Sequence, residues 1–116
     1  MKEDILAEVS TLLRVKHPNI IEILDVVENK DGMSPPSLVY AMASSDMFEY
    51  IKSLSKEKAR GLENRRVMYK MLCAVSYLHS LEIIHRDLKP QNILMFNGEP
   101  RIADLGSAKN LSLIHI

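Results

Sequence analysis

The chain has 116 residues, which suits one small domain, and its fifteen basic residues balance its fifteen acidic residues. This balance gives no support for binding to nucleic acid or to a membrane surface, because both partners select a basic protein face. The single cysteine, Cys73, cannot form an internal disulfide, and no signal peptide or apolar membrane-spanning run is evident. The composition therefore predicts an intracellular protein, cytoplasmic or nuclear.

The first predicted element is a helix near the amino terminus. Its apolar face is formed by Ile5, Leu6, Val9, Leu12 and Leu13. We expect the helix to end near Lys16 and His17, because Pro18 cannot continue it and basic residues favour a helix carboxyl terminus.

A strand, a short helix and a longer helix are predicted next. Residues 28–36 read as a loop, and the apolar residues 38–43 read as a strand that leads through Ser44 and Ser45 to Asp46. Residues 47–54 are a candidate short helix. A buried amphipathic helix is then predicted from the helical spacing of Val67, Met68, Met71, Leu72, Val75 and Leu78.

The most informative pattern lies in the last third of the chain. Residues 85–94 read His-Arg-Asp-Leu-Lys-Pro-Gln-Asn-Ile-Leu, and Asp104-Leu105-Gly106 begins twelve residues after Asn92. Asn97-Gly98, between the apolar residues 93–96 and 101–103, predicts a tight hairpin that holds Asn92 and Asp104 at its open ends. Amide and carboxylate oxygens are hard ligands of the kind that Mg²⁺ selects, so we expect a magnesium site there.

Residues 85–94 closely resemble the catalytic loop of protein kinases, and Asp104-Leu105-Gly106 resembles the Asp-Phe-Gly motif that follows it. The resemblance implies an α+β, two-lobe protein kinase-like fold, ATP as co-substrate and Mg²⁺ as cofactor. Asp87 would accept the proton of the substrate hydroxyl, and Lys89 would lie beside the transferred phosphoryl group. Asn92 and Asp104 would hold the metal.

The same resemblance implies a nucleotide pocket upstream. Glu8 would be the helix glutamate that pairs with a strand lysine, and Tyr40 would be the gatekeeper, although a shift of one residue would give that role to Val39. The backbone of Ala41, Met42 and Ala43 would pair with the adenine edge, Asp46 would face the ribose, and Leu94 would form the apolar floor. A stacked apolar column would consist of Leu12, Ile23, His85 and Leu105. An ordinary core strand is the alternative for residues 38–43.

Several residues also suggest a branch of the kinase family and a class of substrate. Lys89 resembles the lysine of serine/threonine kinases, which implies a protein substrate with a Ser or Thr acceptor. Residues 24–27 and 90–92 look like the cyclin-dependent kinase and glycogen synthase kinase branch, and residues 106–109 resemble the glycogen synthase kinases. Residues 2–6 do not reproduce the cyclin-binding stretch, so a cyclin partner is not supported.

The resemblance covers residues 3–109 but only the middle of a kinase domain, because these 116 residues contain no Gly-x-Gly and no Val-Ala-x-Lys strand. We therefore expect residues 1–110 to be a partial kinase domain that is inactive alone. Residues 111–116, Leu-Ser-Leu-Ile-His-Ile, break the expected pattern and resemble a translated transposase end sequence, which predicts a non-native read-through tail. The alternatives are a non-catalytic kinase-like scaffold or decoy, and a truncated gene model without function. The presence of Asp87, Asn92 and Asp104 argues against a scaffold.

Overall fold

The computed structural model of the chain describes residues 9–11, 13–34, 36–54, 56, 61–105 and 109–110. Helical backbone at 9–11 and 13–14 precedes the other elements. The strands and helices then follow in separate runs and the named strands pair antiparallel, which confirms the predicted α+β class. In chain order these elements are strands β1 (Ile23–Val27), β2 (Ser37–Tyr40) and β3 (Ser45–Asp46), helices α1 (Met47–Ser53) and α2 (Leu62–Ser80), strand β4 (Ile83–Ile84), a 3₁₀ turn (Pro90–Asn92), and strands β5 (Ile93–Phe96), β6 (Glu99–Ile102) and β7 (Lys109–Asn110).

The amino-terminal helix ends where the sequence predicts. Helical backbone stops at residue 14, and the chain turns at Pro18 and Asn19, where the His17 carbonyl accepts the Ile20 N–H at 3.2 Å. The apolar residues on both sides of the turn, Val15 and Ile20, are buried. The turn therefore fixes the end of the helix against the core.

The first sheet is an antiparallel pair of β1 and β2, in which Ile23 lies opposite Tyr40 and Val27 opposite Ser37. The register shifts between Ile23 and Asp25, which is the signature of a β-bulge. The strand predicted over residues 38–43 is shorter in the structure, because β2 ends at Tyr40 and residues 41–43 have no regular structure.

Helix α1 begins where Asp46 caps it. The Asp46 Oδ1 accepts the N–H of Glu49 at 2.8 Å, which satisfies one of the free backbone donors of the first turn. The predicted helix over 47–54 is confirmed, with Leu54 as its carboxyl-terminal cap.

Helix α2 buries a narrow stripe rather than the broad face that its sequence suggests. The buried residues are Val67, Met71, Ala74 and Leu78, at intervals of four, three and four. Met68 and Leu72 are 56% and 60% exposed, so their assignment to the buried face is wrong in the described structure. The physical reason is that, among the described elements, α2 makes its main contacts with β6 and β4, and packing against these strands buries only a narrow stripe of the helix.

The second sheet has the order β3-β5-β6 and carries the predicted hairpin. Asn97 and Gly98 join β5 to β6 with φ angles of 53° and 85°. Positive φ at both central residues is what a type I′ turn requires, and this explains the Asn-Gly pair. Strand β6 begins at Glu99 rather than at residue 101, so the turn contains only these two residues.

The outer edge of β6 is bound to the turn after the amino-terminal helix. Ile102 N–H donates to the Asn19 carbonyl and Ile21 N–H donates to the Ile102 carbonyl, both at 2.8 Å. The buried Asn19 side chain also donates to the Pro100 carbonyl at 2.9 Å. Residues from both halves of the chain therefore share one core around Ile102.

Candidate active site

The candidate site is built around a buried histidine that precedes Asp87. His85 Nε2 lies 2.8 Å from the Ala103 carbonyl, and its Nδ1 accepts the N–H of Asp87 at 3.1 Å. An acceptor at Nδ1 leaves the proton on Nε2, so the neutral ring donates to Ala103. One side chain thus fixes the backbone of Asp87 relative to the strand that leads to Asp104.

Asn92 is the second fixed point of the site. Its buried side chain donates through Nδ2 to the Asp87 carbonyl at 2.8 Å and to Asp87 Oδ2 at 3.1 Å. The Asn92 N–H also binds the Lys89 carbonyl at 2.9 Å, which closes the loop between the two residues. The Asn92 amide nitrogen is therefore committed to Asp87, and its amide oxygen is the atom left for another ligand.

Asp104 is brought to Asn92 by the open end of the hairpin. The Asn92 carbonyl accepts the N–H of Ala103 at 2.9 Å, so the residue next to Asp104 is bonded directly to Asn92. Asp104 itself is exposed and has a φ of 55°, and Arg86 has a φ of 73°. Non-glycine residues rarely adopt positive φ, and such backbone strain concentrates at functional sites.

The donor set of Asn92 and Asp104 fits Mg²⁺. One amide oxygen and one carboxylate are the small protein contribution that this ion ordinarily receives when phosphates and water complete its shell. Among the described residues, no group of three His, Cys, Asp or Glu side chains is placed to hold a metal ion. The described acidic side chains therefore do not form an all-protein metal cage.

Lys89 lies on the exposed side of the loop. Its Nζ is 3.8 Å from Asp87 Oδ2, and both side chains are partly open to solvent. A mobile cation at this distance can follow a negatively charged group brought close to Asp87.

The predicted nucleotide-binding residues lie along the segment from β2 to β3 and on β5. Tyr40 and Leu94 are half-buried and pack against the core, whereas Met42 is 96% exposed. Leu94 lies opposite Asp46 in the β3–β5 pair. Ala41 and Ala43 are half-buried, and Ser44, which follows them, binds the Met95 carbonyl through its N–H at 2.9 Å and its Oγ at 2.7 Å. This segment is therefore tied to the hairpin that carries Asn92 and Asp104.

Of the predicted apolar column, Leu105 and His85 are buried and Ile23 packs against the core. Leu12 and Glu8 lie outside the described residues, as do Gly106–Ala108 and the expected tail at 111–116.

The sequence interpretation missed a contact between α2 and the turn that follows the amino-terminal helix. The Tyr77 hydroxyl on α2 accepts the Lys16 N–H at 3.0 Å, and its ring packs on His17 with centroids 5.2 Å apart. A half-buried tyrosine on this amphipathic helix was the available signal, because a half-buried hydroxyl needs a partner.

Two cavities lie beside the helices and the loop of the candidate site, and residues 40–43 line neither of them. One of about 310 Å³ is mainly apolar and lies between α1, the first half of α2 and residues 88–90. The other, of about 460 Å³, lies beside residues 13–23 and Arg101.

Comparison of the sequence with known proteins places the chain in a family. The protein kinase domain family model matches residues 1–114. The chain therefore belongs to the protein kinase domain family.

Similar proteins bear serine/threonine kinase names or related ones. The chain is 34% identical over 112 residues to the probable serine/threonine-protein kinase MARK-C of Dictyostelium discoideum, covering 95% of this chain and 14% of that protein. It is 37% identical over 100 residues to the carbon catabolite-derepressing protein kinase of Saccharomyces cerevisiae, covering 85% and 15%. It is 37% identical over 107 residues to the serine/threonine-protein kinase DCLK1 of Rattus norvegicus, covering 87% and 24%.

The chain thus spans between about a seventh and a quarter of the length of these relatives. Their names do not support the predicted resemblance to the cyclin-dependent kinase and glycogen synthase kinase branch. Within the described residues, none of the helices is both long and apolar enough to cross a membrane.

Proposed function

We propose that a natural protein containing this chain transfers the γ-phosphoryl group of MgATP to serine or threonine hydroxyls of proteins. The observation that carries the proposal is the hydrogen-bonded path from Asp87 through Asn92 to Ala103, the neighbour of Asp104. It connects a proton acceptor to two oxygen ligands in a chain of the protein kinase family. Serine/threonine specificity is supported by Lys89 and by the names of the relatives.

Asp87 is the proton acceptor in this proposal. Asn92 Nδ2 donates to Asp87 Oδ2 at 3.1 Å, and this contact orients the carboxylate. The substrate hydroxyl would transfer its proton to this carboxylate as the oxygen attacks phosphorus. A positioned general base is typically worth about 10²–10⁴-fold in rate.

Asn92 and Asp104 would hold Mg²⁺ through the Asn92 amide oxygen and the Asp104 carboxylate. When bound, the ion supplies positive charge that neutralises the phosphate oxygens. The hydrogen bond between Ala103 and Asn92 would keep the two ligands from separating. Lys89 would add a second, more mobile positive charge near the transferred group.

The adenosine would lie between the segment 40–46 and Leu94. Tyr40 packs against the core whereas Val39 is 38% exposed, which favours Tyr40 as gatekeeper. Backbone groups of Ala41, Met42 and Ala43 would bind the adenine edge. Asp46 Oδ1 is occupied by the N–H of Glu49, so the other carboxylate oxygen would face the ribose.

Three further expectations complete the proposal. Glu8 would pair with a lysine that grips the α- and β-phosphates. The setting would be intracellular, cytoplasmic or nuclear. The partner would be a protein substrate, with neither nucleic acid nor membrane nor cyclin required.

The test is phosphorylation of a generic protein substrate by the natural protein that contains this chain, with phosphoamino-acid analysis of the product. We expect phosphoserine and phosphothreonine, and a loss of about 10²-fold or more in turnover for Asp87→Ala. Asp25→Ala, which removes an exposed carboxylate on β1, is the matched control and should have no effect. Predominant phosphotyrosine, or near-normal turnover by Asp87→Ala, would contradict the proposal.

A further inference from the structure

The tip of the hairpin is held against α2 by Arg66, with a further contact from Lys70. Arg66 donates through Nη2 to the Gly98 carbonyl at 2.8 Å and through Nη1 to Glu99 Oε1 at 2.6 Å. The second oxygen of Glu99 binds Lys70, one helical turn further along α2. Both residues of the hairpin that follow Asn97 are therefore bound to the same helix face.

The guanidinium is itself held in a fixed orientation. Glu63 binds it with both carboxylate oxygens, at 2.6 Å from Nη2 and 3.3 Å from Nε. The Tyr50 hydroxyl, from α1, donates to Glu63 Oε1 at 3.2 Å. A bidentate carboxylate restricts the plane of an arginine as well as its position, so the donors toward Gly98 and Glu99 keep their direction. We call Tyr50, Glu63, Arg66, Lys70 and Glu99 the hairpin clamp.

Hydrogen bonds within the hairpin clamp shift the pKa values of Arg66 and Glu99 so that their charged forms are favoured. The hydrogen bonds that Arg66 donates to Glu63, and then to Glu99, raise the pKa of Arg66. A hydrogen bond from Lys70, and then one from Arg66, lowers the pKa of Glu99. Both groups are therefore ionised at neutral pH.

The clamp and the proposed metal ligands lie at opposite ends of the same two strands. Strands β5 and β6 pair residue by residue from Phe96–Glu99 at the tip to Ile93–Ile102 at the open end. Asn92 precedes the first strand, and Asp104 follows the second by two residues. Four paired residues span about 13 Å, so a tilt at the tip changes the position of both ligands.

We propose that Arg66 is a positioning residue for the metal site, which it serves by fixing the tilt of the β5–β6 hairpin on α2. The inference rests on the proposed function, because it assumes that Asn92 and Asp104 bind Mg²⁺. The side-chain partners of Arg66 are Glu63, Gly98 and Glu99, not the proposed ligands Asn92 and Asp104. Its effect passes through Gly98 and Glu99 to the strands that carry the ligands.

The experiment measures Mn²⁺ binding, as a spectroscopic substitute for Mg²⁺, in the natural protein that contains this chain. Electron paramagnetic resonance would follow bound Mn²⁺ in the presence of a non-hydrolysable ATP analogue. The variants are Arg66→Ala, Arg66→Lys, Asp104→Ala and Arg65→Ala. Arg65 is the matched control, because it is an exposed arginine one residue away on the same helix.

We expect Arg66→Ala to raise the Mn²⁺ dissociation constant by about three- to tenfold, since partners that orient metal ligands have effects of this order or larger. Arg66→Lys should fall between wild type and alanine, because a lysine keeps one charge near Glu99 but loses the forked contacts. Arg65→Ala should bind Mn²⁺ as wild type does. A thermal melt of each variant would confirm that every titration uses folded protein.

The outcomes separate the two claims. If Asp104→Ala leaves Mn²⁺ affinity unchanged, the proposed metal site fails. If Asp104→Ala abolishes binding but Arg66→Ala and Arg65→Ala have the same affinity, only the positioning role fails. Should Arg66→Ala not fold, Arg66→Lys decides: wild-type affinity in that variant overturns the inference, and weaker affinity supports it.

Discussion

At the scale of single residues, the proposed site depends on which atoms remain available after the local hydrogen bonds are made. Asn92 uses its amide nitrogen on Asp87, and His85 uses both ring nitrogens on backbone groups. The carboxylate of Asp104 is exposed and follows Ala103, whose N–H binds Asn92. Asp87 is hydrogen-bonded to Asn92, whereas the carboxylate of Asp104 is exposed. These different surroundings give the two aspartates different expected roles.

We predict that Asp104→Ala weakens nucleotide binding in Mg²⁺ more than Asp87→Ala does. Asp104 would link the metal to the nucleotide, whereas Asp87 would act on the substrate hydroxyl. Fluorescent ATP titration of both variants, in Mg²⁺ and again in EDTA, measures the difference. The difference in nucleotide affinity between the two variants should disappear in EDTA. A difference that persists without metal would refute the assignment.

We also predict that Tyr77→Phe destabilises the protein by about 0.5–1.5 kcal/mol, the usual net value of one hydrogen bond. The substitution removes the acceptor of the Lys16 N–H and keeps the ring that packs on His17. Denaturant unfolding measures the change. Tyr69→Phe, on an exposed tyrosine of the same helix, is the control and should cost less. Equal losses in the two variants would show that the Lys16 contact contributes nothing specific.

At the scale of elements, local sequence patterns predicted the turns and helices well, whereas contacts between residues far apart in the sequence were not predicted. The hairpin followed from Asn97-Gly98, because a type I′ turn is decided by two adjacent residues. The contact between Asn19 and Pro100 joins residues 81 apart, and the contact between Arg66 and Glu99 joins residues 33 apart. No local pattern encodes such pairs. Helical spacing likewise identified α2 without showing that Met68 and Leu72 lie outside its buried stripe.

The hairpin clamp leads to a pH prediction. The lowered pKa of Glu99 means that its contribution to stability is fully present above its unfolded pKa, about 4.3, and is lost as pH falls through the folded value. Glu99→Gln should therefore be less stable than wild type at pH 7, by a modest amount because the side chain is partly exposed.

Thermal melts of wild type and Glu99→Gln between pH 7 and pH 3 would measure this difference. We expect the two melting temperatures to converge as pH falls below the unfolded pKa of about 4.3 and through the lower folded value. The charged groups that face Glu99 are Arg66 and Lys70, both on α2. Glu22→Gln, on an exposed carboxylate outside the clamp, controls for the general effect of charge. A constant difference across the range would exclude titration of Glu99 as its cause.

At the scale of the whole molecule, the described residues form a core that joins the turn at Asn19, helix α2 and the hairpin. Buried Ile20, Leu78 and Ile102 belong to that core. Large apolar side chains nevertheless remain at the surface of the described part, among them Leu13, Leu24, Leu62, Met68 and Leu72. Each such side chain left exposed forgoes about 1.5–3 kcal/mol of burial free energy.

We predict that a polypeptide of these 116 residues alone folds without a sharp transition and has no kinase activity. The stability of a whole domain is only about 5–15 kcal/mol, so several exposed apolar side chains are enough to remove it. The four glycines, at 32, 61, 98 and 106, include no Gly-x-Gly pair, so this polypeptide has no glycine-rich loop to cover the phosphates.

Expression of residues 1–116, a thermal melt and an assay of γ-phosphate transfer provide the measurements. The Asp87→Ala form of the same polypeptide is the control, because any transfer that it retains comes from a contaminating kinase. A cooperative melt together with transfer that disappears in Asp87→Ala would show instead that this segment holds a complete phosphoryl-transfer site.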